Sequence, residues 1–357
     1  MQQKLKNRVG KAIEEGLFSA CVIGIVTANG NRTILPGGSF EFEKKSITVT
    51  ENTIFDVASI TKAIPTSSLA LKLIDENKLS LDDKLIKFIP EFRNSDRERV
   101  LVKHLLSHTL DYTFRLSAQK DKSPEEILDV IFATEFKSRP GTKFHYANAT
   151  SILLGMVVEK IIGEPLDRLG EKYFFKPLEM NRTIYCPLEK FSQSEIVPTE
   201  IQAWRGGLVH GEVHDESAYA LQQKMFAGSA GLFSTAPDLL NFLEMLLHSG
   251  TFKGIKYFSP EIIKQIQTNQ LPHLGASTGL GWELNQPQYM GRHCDKKTFG
   301  KSGFTGCSII CDIRRNIAFT ILSNYTFPTR KPDARAINKF RSDVADIIFE
   351  SLLISKE

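Results

Sequence analysis

No apolar run in the 357-residue sequence approaches the ~20 residues that a membrane-crossing helix needs. That excludes a helical membrane span. Charge of one sign is equally scarce. Lys and Arg number 45 against 41 Asp and Glu, a formal net charge of +4, and there is no basic block or arm. A nucleic-acid partner is therefore not expected. The five cysteines are odd in number and close no disulfide framework. Cys307 and Cys311 imitate a C-x-x-x-C metal pair, but Cys307-Ser-Ile-Ile-Cys311 reads as a strand, in which four steps separate the ends by ~13 Å. They read as reduced, buried thiols. Internal repeats, low-complexity tracts and flexible linkers are lacking. The N-terminal Met1-Gln-Gln-Lys-Leu-Lys-Asn-Arg8 is basic but has no apolar stretch ahead of a small-residue cleavage site, so no signal peptide is expected and a cytoplasmic location is.

What is present suffices for a large core, with 41% hydrophobic and 10% aromatic residues. Residues 2–16 place Leu5, Val9, Ala12 and Ile13 on one helical face. Cys21–Val26 and Thr33–Leu35 flank Asn29-Gly30-Asn31, a hairpin signal. From Ser59 to about residue 250 the pattern is mainly helical, with Ser59–Glu76, Pro124–Ala133, Thr150–Ile162 and Ala236–Leu247 the main segments and Gly and Pro clusters between them. Strand character returns at Ser308–Ile313 and Ile317–Leu322, separated by Arg314-Arg-Asn316. Asp333–Leu353 reads as a closing helix. Strands near both ends with helices between them predict a mixed α+β fold: one catalytic domain over 1–357, an antiparallel sheet flanked by terminal helices (about 1–58 and 275–357) and a mainly helical subdomain (about 59–274), with a ligand cleft between them.

Three short segments carry chemistry. Ser59-Ile-Thr-Lys62 lies at a loop-to-helix junction. The bland reading is a serine N-cap followed by a solvated lysine. The sharper one uses the i, i+3 spacing, which puts Lys62 within reach of the Ser59 hydroxyl. A lysine crowded by other cations in a cleft loses some preference for its charged form and can act as a base. Tyr146-Ala-Asn148 follows a Pro140-Gly141 turn. Tyr146 is either a packed loop ring or a proton carrier whose acidity two nearby ammonium groups would increase. Asn148 either caps the next helix or offers its amide to substrate. Lys301-Ser302-Gly303 opens the late strand. Gly303 permits close backbone approach, the N–H groups of Phe304 and Ser59 can form an oxyanion hole, and Lys301 and Ser302 can hold a substrate carboxylate. The combination suits acyl transfer through a serine ester.

Two patterns are set aside. Gly300-Lys-Ser302 matches the end of a phosphate-binding loop, but the first glycine of that motif would fall at Asp295 and no helix follows. His210-Gly-Glu-Val-His214 could in extended form point His210, Glu212 and His214 one way towards a metal; a polar loop near the cleft mouth is the preferred reading. His104, His108 and His145 are isolated and read as structural or solvated. The chemistry needs no metal and no cofactor.

With these residues in place, the chain resembles the serine β-lactamase-related family, the branch with class C β-lactamases, low-molecular-weight penicillin-binding proteins and related esterases. Phe55-Asp-Val-Ala-Ser-Ile-Thr-Lys62 looks like its nucleophile motif, Val102-Lys-His-Leu-Leu-Ser-His-Thr109 like the segment that follows, and Tyr146-Ala-Asn148 like its Y-x-N box. Pro177-Leu-Glu-Met180 is similar to its P-L-G-M, and Ala230-Gly-Leu-Phe-Ser-Thr-Ala236 and Lys301-Ser-Gly303 complete the series. The resemblance implies a two-subdomain β-lactamase/DD-peptidase-like fold and an acyl-serine intermediate on an ester, β-lactam or short peptide. Leu110-Asp111, Ser229 and Glu179 depart from the pattern, at positions where Ser-Gly, His and Gly are usual. The expected activity is that of a serine hydrolase with Ser59, Lys62 and Tyr146 catalytic; the alternatives are a D-amino-acid peptidase and a non-catalytic penicillin-binding-like protein.

Overall fold

The two chain ends build one sheet. In the computed structural model, which describes residues 1–354, helix α1 (Gln2–Glu14) leads into the hairpin β1 (Ala20–Thr27) and β2 (Arg32–Gly38). The middle of the chain contributes helices α2 (Ser68–Asp75), α3 (Pro124–Ala133), α4 (Asn148–Ile162) and α5 (Ala236–Leu247) among shorter turns. The chain then returns through β3 (Glu283–Leu284), β4 (Phe299–Ser302), β5 (Ser308–Asp312), β6 (Ile317–Ser323) and the closing helix α6 (Arg335–Ile354). The strand order is β2-β1-β6-β5-β4-β3, with every neighbour antiparallel. The expected class, a mixed fold on an antiparallel sheet with terminal helices, is what forms.

Strand alternation explains the layering. Ala20, Val22 and Val26 of β1 face one core, while Cys21, Ile23 and Ile25 face another. In β6, Ala318 and Leu322 share the first core, and Ile317, Phe319 and Ile321 the second. The second core is closed by Leu5, Val9 and Ala12 of α1 and by Ile337, Phe340, Val344 and Ile348 of α6. The first is closed by α5, which lies against β1, β5 and β6. Gly24 admits that helix closely: a Cβ there would sit 3.2 Å from the Leu240 side chain and 3.3 Å from Ala236. A strand buried on both faces costs its polar backbone nothing as long as both edges are paired, as those of β1 and β6 are. Among the described residues no helix is long and apolar enough to cross a membrane.

Two local expectations change. The segment Ser59–Glu76 is not one helix. It runs as a 3₁₀ turn over Ala58–Lys62, a wider turn over Ala63–Ser67 with Ile64 at φ −121° and ψ 111°, and then α2. Pro65 is the cause, because it has no N–H to donate and forces the preceding residue out of the helical region. Lys301-Ser302-Gly303 does not open the late strand either. It ends β4, and a turn over residues 303–307 intervenes before β5, closed by the Gly303 N–H on the Cys307 carbonyl at 2.7 Å, with Gly306 at φ +108°. Both changes matter for the site, which is assembled from those two turns.

The 303–307 turn is held from below by Arg341 of α6. Its buried guanidinium donates to the carbonyls of Gly303 (2.7 Å), Gly306 (3.2 Å) and Cys307 (2.9 Å) and to Asn338 Oδ1 (2.8 Å). Burial pulls its pKa down to about 10, so the cation persists at neutral pH. Removing it takes a charged donor from three buried carbonyls; those of Cys307 and Gly303 keep backbone N–H donors, and that of Gly306 keeps none among the described residues. Arg341→Met is expected to lower unfolding stability by about 2–4 kcal/mol in a urea titration; a loss under about 0.5 kcal/mol, the ordinary surface-substitution range, contradicts this account.

Candidate active site

Ser59 stands on a strained turn. Ala58, the residue before it, has φ +45°, a left-handed conformation that a residue with a Cβ adopts at a cost. Four contacts hold it there. The Asp56 carboxylate accepts from the Ala58 N–H and the His214 N–H, both at 2.7 Å. Thr61 Oγ1 donates to the Ala58 carbonyl and Thr305 Oγ1 to the Asp56 carbonyl, each at 2.7 Å. Burial pushes the Asp56 pKa up, and the two N–H bonds only partly oppose it. Ser59 does not cap the helix: the cap position is Val57, and no side chain there accepts a hydrogen bond. In a 3₁₀ turn residues i and i+3 eclipse. That stacks Lys62 directly over Ser59, Nζ 2.9 Å from Oγ.

Lys62 is 1% exposed and also donates to the Ser229 carbonyl at 2.7 Å. Burial brings its pKa below the ordinary lysine range, and the Lys301 charge pushes the same way, against the opposing pull of Tyr146. Tyr146 lies just before α4. It is 41% exposed. The Lys301 and Lys62 ammonium groups lie 4.4 and 5.2 Å from its ring centroid. Burial alone would raise the phenol's pKa. The two cations, with a hydrogen bond from Ser59, outweigh burial and bring it below the ordinary phenol range. The ring rests 4.8 Å from that of buried His108, whose Nδ1 is 2.6 Å from Thr150 Oγ1. Burial, then the two lysines, hold His108 well below the usual imidazole range, so it adds no third cation.

Lys301 was expected to present a free charge to a substrate carboxylate. It already has a partner. Its ammonium, 2% exposed, donates to Glu283 Oε1 at 2.7 Å, and Tyr289 donates to Glu283 Oε2 at 2.7 Å. Burial works against the Lys301 charge, but Glu283 and Tyr146 more than compensate and lift its pKa above the ordinary lysine range. Glu283 was missed in the sequence because nothing in Gly281-Trp282-Glu283 signals it; the pairing of β3 with β4, Glu283 opposite Gly300, brings it there.

The β4 turn meets the Ser59 turn without a gap. A Cβ on Gly303 would fall 2.4 Å from the Val57 carbonyl oxygen, so glycine is required by close approach. Among the described residues neither the Ser59 nor the Phe304 N–H has a protein acceptor. Ser302, half-buried, lies between Lys301 and this turn. Asn148 is neither a cap nor free. It is the first residue of α4, after Ala147, and its amide donates to Asp215 Oδ2 at 3.0 Å. The structure therefore gathers Ser59, Lys62, Tyr146 and Lys301, sets Phe304 and Gly303 beside them, and turns Asn148 towards Asp215.

The other sequence patterns dissolve into separate contacts. His210 Nε2 lies 2.6 Å from the Ile196 carbonyl, Glu212 pairs with Arg205, and His214 Nε2 lies 2.7 Å from Glu200 Oε2. Cys307 and Cys311 are buried free thiols. Glu179, where glycine was expected, takes φ +57°, the conformation for which glycine is suited.

Residues 12–342 match the Beta-lactamase family profile. A protein of Escherichia coli (strain K12) that carries the provisional name D-alanyl-D-alanine carboxypeptidase is 30% identical over 313 residues, 79% of this chain and 71% of its own. Among solved structures, EstCE1, described as a hydrolase with promiscuous acyltransferase activity, superposes with a TM-score of 0.76 at 20% identity, over 96% of this chain and 98% of its own. The octameric penicillin-binding protein homologue of Pyrococcus abyssi gives 0.75 at 23% (98% and 77%), and the D-amino acid amidase of Ochrobactrum anthropi SV3 gives 0.73 at 18% (98% and 99%). With the profile spanning nearly the whole chain and the fold shared end to end, this protein belongs to the β-lactamase family.

Proposed function

We propose that the protein is a serine hydrolase that works through an acyl-enzyme on Ser59. The observation that carries this reading is the 2.9 Å approach of Lys62 Nζ to Ser59 Oγ, beside a phenol made acidic by two buried ammonium groups. The Ser59 oxygen attacks the substrate carbonyl while its proton passes to the Lys62–Tyr146 pair. The oxyanion of the tetrahedral intermediate accepts from the N–H groups of Ser59 and Phe304. Collapse breaks the carbonyl's bond to the leaving group, which takes the proton from Tyr146. Water then attacks the ester, giving its proton to the same pair, and Ser59 is restored. Lys301 serves chiefly to hold Tyr146 in its acidic state. Ser302, the Gly303 edge and Asn148 line the substrate. The substrate class is a small ester, β-lactam or amide.

Peptidase action on D-amino-acid peptides is the second reading. The provisional name of the Escherichia coli relative and the amidase among the structural neighbours favour it. The short Lys62–Ser59 contact and the acidified phenol beside it support turnover over a binding protein without it.

Ser59→Ala is expected to abolish covalent labelling by a fluorescent fluorophosphonate or penicillin and to lower kcat on p-nitrophenyl butyrate by at least about 10⁴-fold, with an unchanged circular dichroism spectrum. Persistent labelling of the variant would rule the assignment out. The pH profile gives a second test. The base must be deprotonated, so kcat/KM rises with pH. The rising limb belongs to the coupled Ser59–Lys62–Tyr146 cluster, and it falls below the ordinary lysine and phenol values because Lys62 and Tyr146 are both shifted down. Glu283 holds the Tyr146 pKa up. Glu283→Gln is therefore expected to move the limb to lower pH, and Lys301→Met to higher pH. Movement of both in one direction would contradict the proposed electrostatics.

A further inference from the structure

His108 has no step in the mechanism above, yet Tyr146 and the residues on both sides of it rest on it. Its carbonyl accepts from the His145 N–H at 2.8 Å. Its ring centroid lies 4.8 Å from that of Tyr146, with the two planes inclined at 42°. Its Nδ1 lies 2.6 Å from Thr150 Oγ1, which also meets the Ala147 carbonyl at 2.8 Å. One residue thus reaches positions 145, 146 and 147 in turn.

The tautomer of that imidazole follows from the count of hydrogens. A carbonyl only accepts, so the single hydrogen of the Thr150 hydroxyl goes to Ala147. Towards the ring the hydroxyl can only accept, and His108 Nδ1 therefore carries a proton. Burial, with the Lys301, Lys62 and His145 side chains, keeps the ring in its neutral form, which leaves Nε2 bare. The result is a directed chain: His108 Nδ1–H donates to Thr150 Oγ1, and Thr150 donates to the Ala147 carbonyl. All three residues are buried, where a satisfied chain of this kind holds its members in one arrangement.

The backbone of His108 is bent to make these contacts. It has φ +53°, a left-handed conformation that a residue with a Cβ adopts at a cost. The turn that it opens ties down the rest of the Tyr146 loop. The Thr109 carbonyl accepts from the Gly141 N–H at 2.9 Å, and the buried Asp111 carboxylate accepts from Lys143 Nζ at 3.1 Å. Tyr146 needs that precision. Lys301 and Lys62 make its hydroxyl acidic and Glu283 opposes them. The balance of such terms changes with every ångström between the charges.

We propose that His108, in its Nδ1–H tautomer, is the positioning residue of Tyr146: it fixes the phenol beside the two ammonium groups, through the chain to Ala147 and through the face of its own ring. The inference rests on the acyl-serine reading and deepens it by naming the group that sets the proton carrier in place.

The test is a double-mutant cycle, read as kcat/KM on p-nitrophenyl butyrate across pH and as the rate of fluorophosphonate labelling of Ser59. His108→Ala is expected to lower the plateau of kcat/KM by about 10- to 100-fold. It is also expected to move the rising limb to higher pH, because a phenol farther from the ammonium groups is less acidic. In a Tyr146→Phe background the same substitution is expected to cost less than about twofold, since no hydroxyl remains to be positioned. Thr150→Val removes the middle of the chain and keeps the side-chain shape. It is expected to move the limb the same way by a smaller amount, and it takes the place of His108→Ala should that variant fold poorly. A limb that stays put in both variants overturns the inference. So does a His108→Ala loss of equal size with and without Tyr146, which is what a merely structural residue gives. In either case a labelled wild type leaves the serine mechanism standing, whereas a wild type that takes no label overturns the mechanism itself.

Discussion

Two buried lysine ammonium groups lie 4.4 and 5.2 Å from the ring centroid of one tyrosine, and the rest of the site compensates for that. Burying a charge is among the least favourable acts in folding unless bonded partners surround it. Lys301 is countered by Glu283, which Tyr289 steadies in turn. Among the described residues Lys62 has no carboxylate partner; it has a carbonyl, the Ser59 hydroxyl and an acidified phenol. The asymmetry gives the two cations different work. The countered one stays charged and sets the local field. The uncountered one is released towards its neutral form and can exchange a proton.

The same logic extends to the backbone. A non-glycine residue in a left-handed conformation just before Ser59 survives only because its surroundings over-determine it. Asp56 fixes the Ala58 amide, Thr61 its carbonyl, and Gly303 closes the space beside it. Arg341 then pins the Gly303 turn to the closing helix. In the proposed mechanism the N–H groups of Ser59 and Phe304 are thereby fixed before substrate arrives, which is what an effective oxyanion site requires. The terminal helix is remote from the chemistry in sequence, yet it supports the turn from which one donor projects.

The structural relatives, among them a hydrolase with acyltransferase activity, a penicillin-binding protein homologue and an amidase, share this framework at 17–23% identity. A framework common to such different activities does not choose among them. The choice belongs to the segments around it.

The sequence alone determined a good deal. Alternation and periodicity predicted α1, the β1–β2 hairpin, α3, α5 and the β5–β6 pair within a residue or a few of their ends, because such patterns follow from which faces are buried. The motifs around Ser59, Tyr146 and Lys301 pointed to the groups that the proposed acyl transfer uses, because that chemistry needs those residue types whatever surrounds them. The sequence did not disclose that Pro65 splits the helix after Lys62, although the proline was in view, nor that residues 303–307 turn before β5. It could not disclose that Glu283 occupies Lys301 or that Asp215 occupies Asn148. Those are pairings between residues 18 and 67 positions apart. A residue's type states what it can bond; only the packed chain, by deciding which groups lose water together, states what it does bond.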